Sequence, residues 1–232
     1  MVTTASIKDL RASVTYDALL RAFDKKFENG LRGDWATICE HVNQWAKSKG
    51  WRSQPRGVME LYHNLMGELA EMWEEFRKSR LDLYFTTKAG EIVGGDQLAL
   101  VESQPENFKP EGFWVELADL VIRCADAVTE FDLPMHLHGE FLTDDLREFS
   151  SGEVSLMGGL TKLSRHVGLL APVVLTETTT FATMPALRHT PRAVVRNAFI
   201  FAEVFNVDLL QLLQIKMRYN HTRPVRHGNK LA

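Results

Sequence analysis

An apolar repeat of helical period recurs along the chain, and no other sequence feature restricts the fold as much. From Pro55 to about Arg80, Val58, Leu61, Leu65, Leu69, Met72 and Phe76 return at spacings of three and four with no internal proline. That spacing puts them on one face of a helix several turns long. Phe113 to about Phe131 is amphipathic in the same way, and Asp132-Leu133-Pro134 ends it, because the residue before a proline avoids the helical region. Tyr16 to Phe27 and Trp35 to Lys49 predict two shorter helices, stopped by Asn29-Gly30 and Gly50. Glu153 to Leu170 reads as another. Pro191 suits the first turn of a last helix, which Val194, Phe201, Val204, Phe205, Leu209, Leu212 and Leu213 carry to about Tyr219, with a break near Asn206 and a stop at Pro224.

Between these segments the periodicity fades. Residues 81–112 are punctuated by Lys88-Ala89-Gly90, Gly94-Gly95, Pro105 and Pro110, and their brief LDLYF and LALV runs read as strands or as anchors of a long connection. Residues 134–190 form a second long connection or insertion, in which APVVLTETTTFATMP reads as loop. With several substantial helices and little strand signal, the expected fold is all-α, a helical bundle in a single domain over 1–232 with a basic tail at 224–232.

Charge and cysteine content exclude several functions. The 27 basic and 30 acidic residues leave a net charge of -3, so no global field draws the chain to nucleic acid or to a membrane surface. Cys39 and Cys124 are too few for a disulfide framework and wrongly spaced for zinc, which fits a reducing compartment. The opening MVTTASIKDLRASVTYD carries charges where a secretory leader needs an apolar run, and the uncharged stretch Gly168 to Leu175 is too short to span a bilayer. A cytoplasmic protein without a membrane partner is expected.

The chemistry is concentrated in acidic pairs. Asn64, Glu68, Glu71 and Glu75 form a polar stripe beside the apolar one, since residues three and four apart share a helical face. Acid pairs at spacing three mean little by themselves: 30 acids in 232 residues give roughly four by chance, and the chain has Glu68/Glu71, Glu71/Glu74, Glu116/Asp119 and Asp145/Glu148. Their setting is more informative. Glu116-Leu117-Ala118-Asp119 repeats the form of Glu68-Leu69-Ala70-Glu71 on a second helix. If the two helices lie antiparallel, the four carboxylates converge on one interior site, where they cannot all stay ionised without a cation. Oxygen-only ligation favours magnesium, with manganese as the substitute. The plain alternative is that both stripes face water.

The C-terminal run Lys216 to Lys230 supplies the opposite charge, with Lys216, Tyr219, Asn220 and Arg223 on one helical stripe. Lysine offers a point charge and arginine a bidentate fork, which together suit a polyphosphate. A basic helix end favoured by the helix dipole is the alternative. Other conspicuous residues read plainly: His136 and His138 lack a third ligand at motif spacing, Trp51, Trp73 and Trp114 suit core packing, and Gly158-Gly159 lacks the lysine of a phosphate loop.

Three blocks, KGWRSQPRGVMELYHNLMGELAEMWEEFRK, KPEGFWVELADLVIRCADAVTEFDL and KMRYNHTRPVRHGNK, together resemble the all-α nucleoside triphosphate pyrophosphohydrolases of the MazG-like group. The resemblance implies a bundle of the all-α NTP pyrophosphatase type, usually oligomeric, that cleaves a nucleotide between its α and β phosphates with magnesium. It implies Glu68, Glu71, Glu116 and Asp119 as metal ligands, with Glu74 or Glu75 as a further ligand or, within the Glu71 to Glu75 cluster, the base. Lys216, Tyr219, Asn220 and Arg223 would contact phosphate or sugar, followed by His227 and Lys230 farther along the tail. Asn64 joins the substrate-binding set. So does Asp126, which extends the Asp119 stripe with Arg123, unless it is an arginine-paired structural acid. The chain departs from the group in the 44 residues, 72–115, that separate Glu71 from Glu116, and in the long 134–190 segment. The expected function is conversion of an NTP or dNTP to the monophosphate and pyrophosphate by a homo-oligomer. The alternatives are a non-catalytic nucleotide-binding or scaffold protein on the same bundle, and a helical interaction module.

Overall fold

The computed structural model describes residues 11–12, 32–54, 56–133, 154–175 and 184–225. The predicted helix over Tyr16 to Phe27, His136 and His138, and the tail residues His227 and Lys230 lie outside them. Helices dominate, as the all-α reading expects: α1 (Arg32–Ser48), α2 (Val58–Arg77), α3 (Leu98–Ser103), α4 (Phe113–Glu130), α5 (Leu156–Gly168), α6 (Ala171–Leu175), α7 (Met184–Val204) and α8 (Leu209–Thr222). Among the described residues no single helix is long and apolar enough to cross a membrane.

The centre of the bundle is α4. It is buried nearly all round, from Phe113, Trp114 and Val115 to Ala127 and Val128, and it packs against α1, α2, α7 and α8. A helix buried over most of its surface has to be surrounded, and the charged side chains Glu116, Asp119, Arg123 and Asp126 share one stripe of it. Where α4 begins beside the end of α7, Phe113, Trp114, Phe201 and Phe205 pack in edge-to-face and tilted pairs, with ring centroids 4.9 to 6.1 Å apart. Gly159 of α5 presses on the same cluster, since a Cβ there would lie 2.3 Å from the Phe201 ring. Trp114 thus belongs to the core and Trp51 packs partly buried against it. Trp73 differs from its core reading, lying 40% exposed and stacked on Phe76. Cys39 and Cys124 are buried and unpaired, with burial pushing the Cys39 thiol up to about 12 and raising that of Cys124 further.

Residues 81–112 are more ordered than a connection. Tyr84–Thr87 (β2) is the middle strand of a three-stranded antiparallel sheet, flanked by Ile92–Gly94 (β3) and Phe108–Glu111 (β4). Phe85 stands opposite Val93 on one side and Pro110 on the other, and its fully buried ring fastens the sheet to the helices. The remaining strands, Arg11–Ala12 (β1) and Val154–Ser155 (β5), pair with each other. Two helix starts also differ from the sequence reading. Pro191 lies inside α7, which begins at Met184: Pro185 takes the first-turn position, and buried Leu187 adds core contact before Pro191 is reached. Ala171–Leu175, read as loop, forms a short helix. The break near Asn206 is present, with Asn206 at φ 55 and the Asp208 side chain accepting from the Gln211 N–H at 3.0 Å. The resulting 118° bend brings α8 onto α4 and β4.

The return from β4 into α4 sets the register of the site. Gly112 caps α4 at φ 121, ψ 156, a conformation nearly closed to other residues, and a Cβ there would meet the Asp82 carbonyl at 2.3 Å. Beside it the Phe113 and Trp114 N–H groups donate to the carbonyls of Arg80 and Leu81 at 3.0 and 3.5 Å. The first turn of α4 is therefore tied to the chain that has just left α2. Gly112→Ala should lower unfolding stability by about 2 kcal/mol or more, read as a shifted urea midpoint. An unchanged midpoint would contradict this account of the α2–α4 junction.

Candidate metal centre

The backbone tie at Arg80 and Phe113 joins the end of α2 to the start of α4. At the opposite ends, Arg52 and Arg56, which precede α2, reach Asp126 and Glu130 near the end of α4. The two helices therefore run antiparallel, and their acidic stripes meet between these fastenings. One carboxylate oxygen from each of Glu68, Glu71 and Glu116 lies within 4.8 Å of the others. Glu68 and Glu116 are buried and Glu71 is exposed at the mouth. The reading of both stripes as water-facing fails for these two acids.

Two cations already attend the cluster. Arg123 Nε donates to Glu68 Oε1 at 2.8 Å. Lys216, only 2% exposed, places Nζ 2.8 Å from Asp119 Oδ2 and 3.8 Å from Glu116 Oε2, and donates to the Pro110 carbonyl at 3.3 Å. Glu116 Oε2 is left with no hydrogen-bond donor. Burial pushes the Glu68 carboxyl up to about 7, with Asp119 adding to the rise and Arg123 opposing it. Burial likewise carries Glu116 up to about 9 against the pull of Lys216, with Asp119, Glu71 and Glu68 adding. Burial alone would lower Lys216, yet Asp119 and Glu116 hold it above its ordinary value. The donor set is all oxygen, and a buried carboxylate oxygen without a partner faces a resident ammonium too distant to bond it. Such residues fit a hard divalent cation of the magnesium or manganese kind.

The remaining sequence candidates fall into distinct places. Asp119 is engaged by Lys216 and stands apart from the three-carboxylate cluster. Lys216, expected on phosphate, is instead buried as the counter-ion of that acid. Glu75 also departs from expectation: it is buried and accepts from the Tyr84 hydroxyl at 2.9 Å, linking α2 to the sheet. Glu74 lies on the outer face, 60% exposed, paired with Lys78 at 2.7 Å. Of Glu71, Glu74 and Glu75, Glu71 is the one in the three-carboxylate cluster. Asp126 is an arginine-paired acid held by Arg52 and Arg56 at 2.7 Å each, so its pairing is with these two and not with Arg123. Asn64 lines a small pocket beside it with Arg56, Glu60, Leu61, Arg123 and Phe131.

On α8, Arg223 lies over the Tyr219 ring at 5.8 Å, half-buried and within electrostatic reach of Asp119 and Glu68. Asn220 is buried, its carbonyl accepting from Trp45 Nε1 at 2.9 Å while its side-chain oxygen has no donor. The Arg52/Arg56 clamp on Asp126 and Glu130 is not part of the sequence reading; its signal is a pair of arginines four apart just ahead of one helix and a pair of acids four apart ending the other.

Comparison with known proteins finds no family model, no curated protein and no solved structure that matches the chain.

The raised carboxyls set a pH dependence whose sign is fixed. A carboxyl whose folded value lies above its unfolded value favours the fold fully below about pH 4.5, and that contribution is lost as pH rises through the folded value. The metal-free protein should therefore lose stability, on the order of a few kcal/mol, as pH rises from about 5 through 7 to 9. Magnesium should raise the melting temperature at about pH 8 and lose that effect near pH 5, where protons hold the ligands. Thermal melts across this range with and without magnesium check it; a magnesium effect that is flat with pH contradicts it.

Proposed function

We propose that this chain is a magnesium-dependent nucleotide pyrophosphohydrolase with an all-α NTP pyrophosphatase type of bundle, similar to the MazG-like group. Its reaction converts an NTP or dNTP to the nucleoside monophosphate and pyrophosphate. The observation that carries the reading is the meeting of the two acidic motifs across antiparallel α2 and α4, which puts Glu68, Glu71 and Glu116 within 4.8 Å of one another. A surface stripe gains nothing from burying two of its three acids, whereas a cation site requires it.

Glu68 and Glu116 would hold the metal from the two helices, and Glu71 would complete the set from the solvent side. Bound there, a divalent cation supplies charge neutralisation for the phosphates and a more acidic water. Glu71 is the exposed member of the three, which supports it as the group that would take the proton of the attacking water. Arg223 and Tyr219 stand at the rim, where the guanidinium fork suits the departing pyrophosphate. The sheet over 84–111 is linked to α2 through the Tyr84 hydroxyl on Glu75.

Capture of Asp119 by Lys216 favours a second reading, a protein that binds nucleotide without hydrolysing it, because one of the four acids is thereby withdrawn from the metal set. One assay separates the two. Each common NTP and dNTP, with dUTP, is incubated with and without magnesium and the products are resolved by chromatography. Monophosphate and pyrophosphate should appear with metal only, and Glu71→Gln should lower kcat by about 10²-fold or more with helix content unchanged. Diphosphate and phosphate as products, or no turnover of any nucleotide, would overturn the hydrolase reading.

A further inference from the structure

We infer that the centre binds a single divalent ion, because Lys216 occupies, as a permanent counter-ion on Asp119 and Glu116, the place a second ion would take. The inference rests on the metal-site reading above and deepens it.

When ionised, Glu68, Glu71, Glu116 and Asp119 carry four negative charges. Arg123 on Glu68 and Lys216 between Asp119 and Glu116 return two of them, and the half-buried Arg223 acts on Asp119 and Glu68 from the end of α8. At most two negative charges remain, which one divalent cation balances, and a second would leave the site with excess positive charge. Geometry points the same way. A second ion would need Asp119, the acid outside the three-carboxylate cluster, and Lys216 Nζ already lies 2.8 Å from its Oδ2. That ammonium is not a loose surface group. Lys216 is buried to 2% exposure and is further held by the Pro110 carbonyl, so its Nζ is fixed from β4 as well as from α4. Lys216 Nζ stays 3.8 Å from Glu116 Oε2, which has no hydrogen-bond donor, so the lysine bonds Asp119 and leaves Glu116 without a direct hydrogen bond.

Lys216 is thus a positioning residue. It stands behind the carboxylates, fixes how many ions they accept and does not touch the reacting phosphate. Manganese counting reads this directly. Equilibrium dialysis with Mn2+ alone, together with the electron paramagnetic resonance spectrum of the bound ion, should give one Mn2+ per wild-type chain with the spectrum of an isolated ion. Lys216→Met should raise the count to two and broaden the spectrum by coupling between neighbouring ions. Lys216→Arg, which keeps the charge, should stay at one. Two ions on the wild-type chain would overturn the counter-ion inference and leave the metal site standing. No bound Mn2+ would overturn both. A folded Lys216→Met variant that still holds one ion also overturns the inference, and if that variant does not fold, the wild-type count and spectrum decide alone.

Discussion

Burying two carboxylates between α2 and α4 is the constraint on which the rest of the structure depends. Glu68 and Glu116 face each other across the central packing seam of the bundle, where an ionised acid without a partner costs several kcal/mol. Only a well-fastened pair of helices can hold that arrangement. At one end the fastening is made of backbone bonds from Phe113 and Trp114 to Arg80 and Leu81, permitted by the unusual backbone of Gly112. At the other it is a cluster of two arginines and two acids, in which Arg52 and Arg56 reach Asp126 and Glu130. The aromatic cluster around Phe113 and Phe201 and the buried Phe85 of the sheet keep the first fastening dry.

Along the seam the charge is graded. The Arg52/Arg56 end is balanced, with two cations on two acids. In the middle, Arg123 meets Glu68, and farther along Lys216 descends from α8 onto Asp119. The imbalance is concentrated where Glu68, Glu71 and Glu116 meet, and only Glu71 opens to solvent there. The proposed cation site is where that imbalance lies, at the meeting of the two acidic pairs. The gradient also separates two acids that sequence spacing merges: Glu71 is exposed within the three-carboxylate cluster, while Glu75, one turn on, is buried and accepts from Tyr84.

How much of this was legible follows from what sequence periodicity encodes. The 3.6-residue repeat located α1, α2 and α4 to within a few residues, because burial of one face is written locally. It also placed Glu68, Glu71, Glu116 and Asp119 on two facing stripes. What it does not encode is partner choice between distant elements. The basic stripe of α8 suggested phosphate for Lys216, and only the bend after Asn206, which lays α8 against α4 and β4, turned that lysine inward. The sheet was obscured because β2, β3 and β4 are three or four residues long and Pro110 lies within one of them. The start of α7 was misplaced because Pro191 resembles a first-turn proline, while the earlier Pro185 and Leu187 satisfy both the cap and the core.

The account stands on a cation, and not protons alone, balancing the buried acids of α2 and α4. A crystal structure of the manganese-soaked protein, with anomalous diffraction recorded at the manganese edge, tests that most directly. The account predicts an anomalous peak coordinated by carboxylate oxygens from both helices, from Glu68 or Glu71 on one and Glu116 on the other. Anomalous density confined to exposed acids such as Glu74, or none between the two helices at saturating manganese, would contradict it.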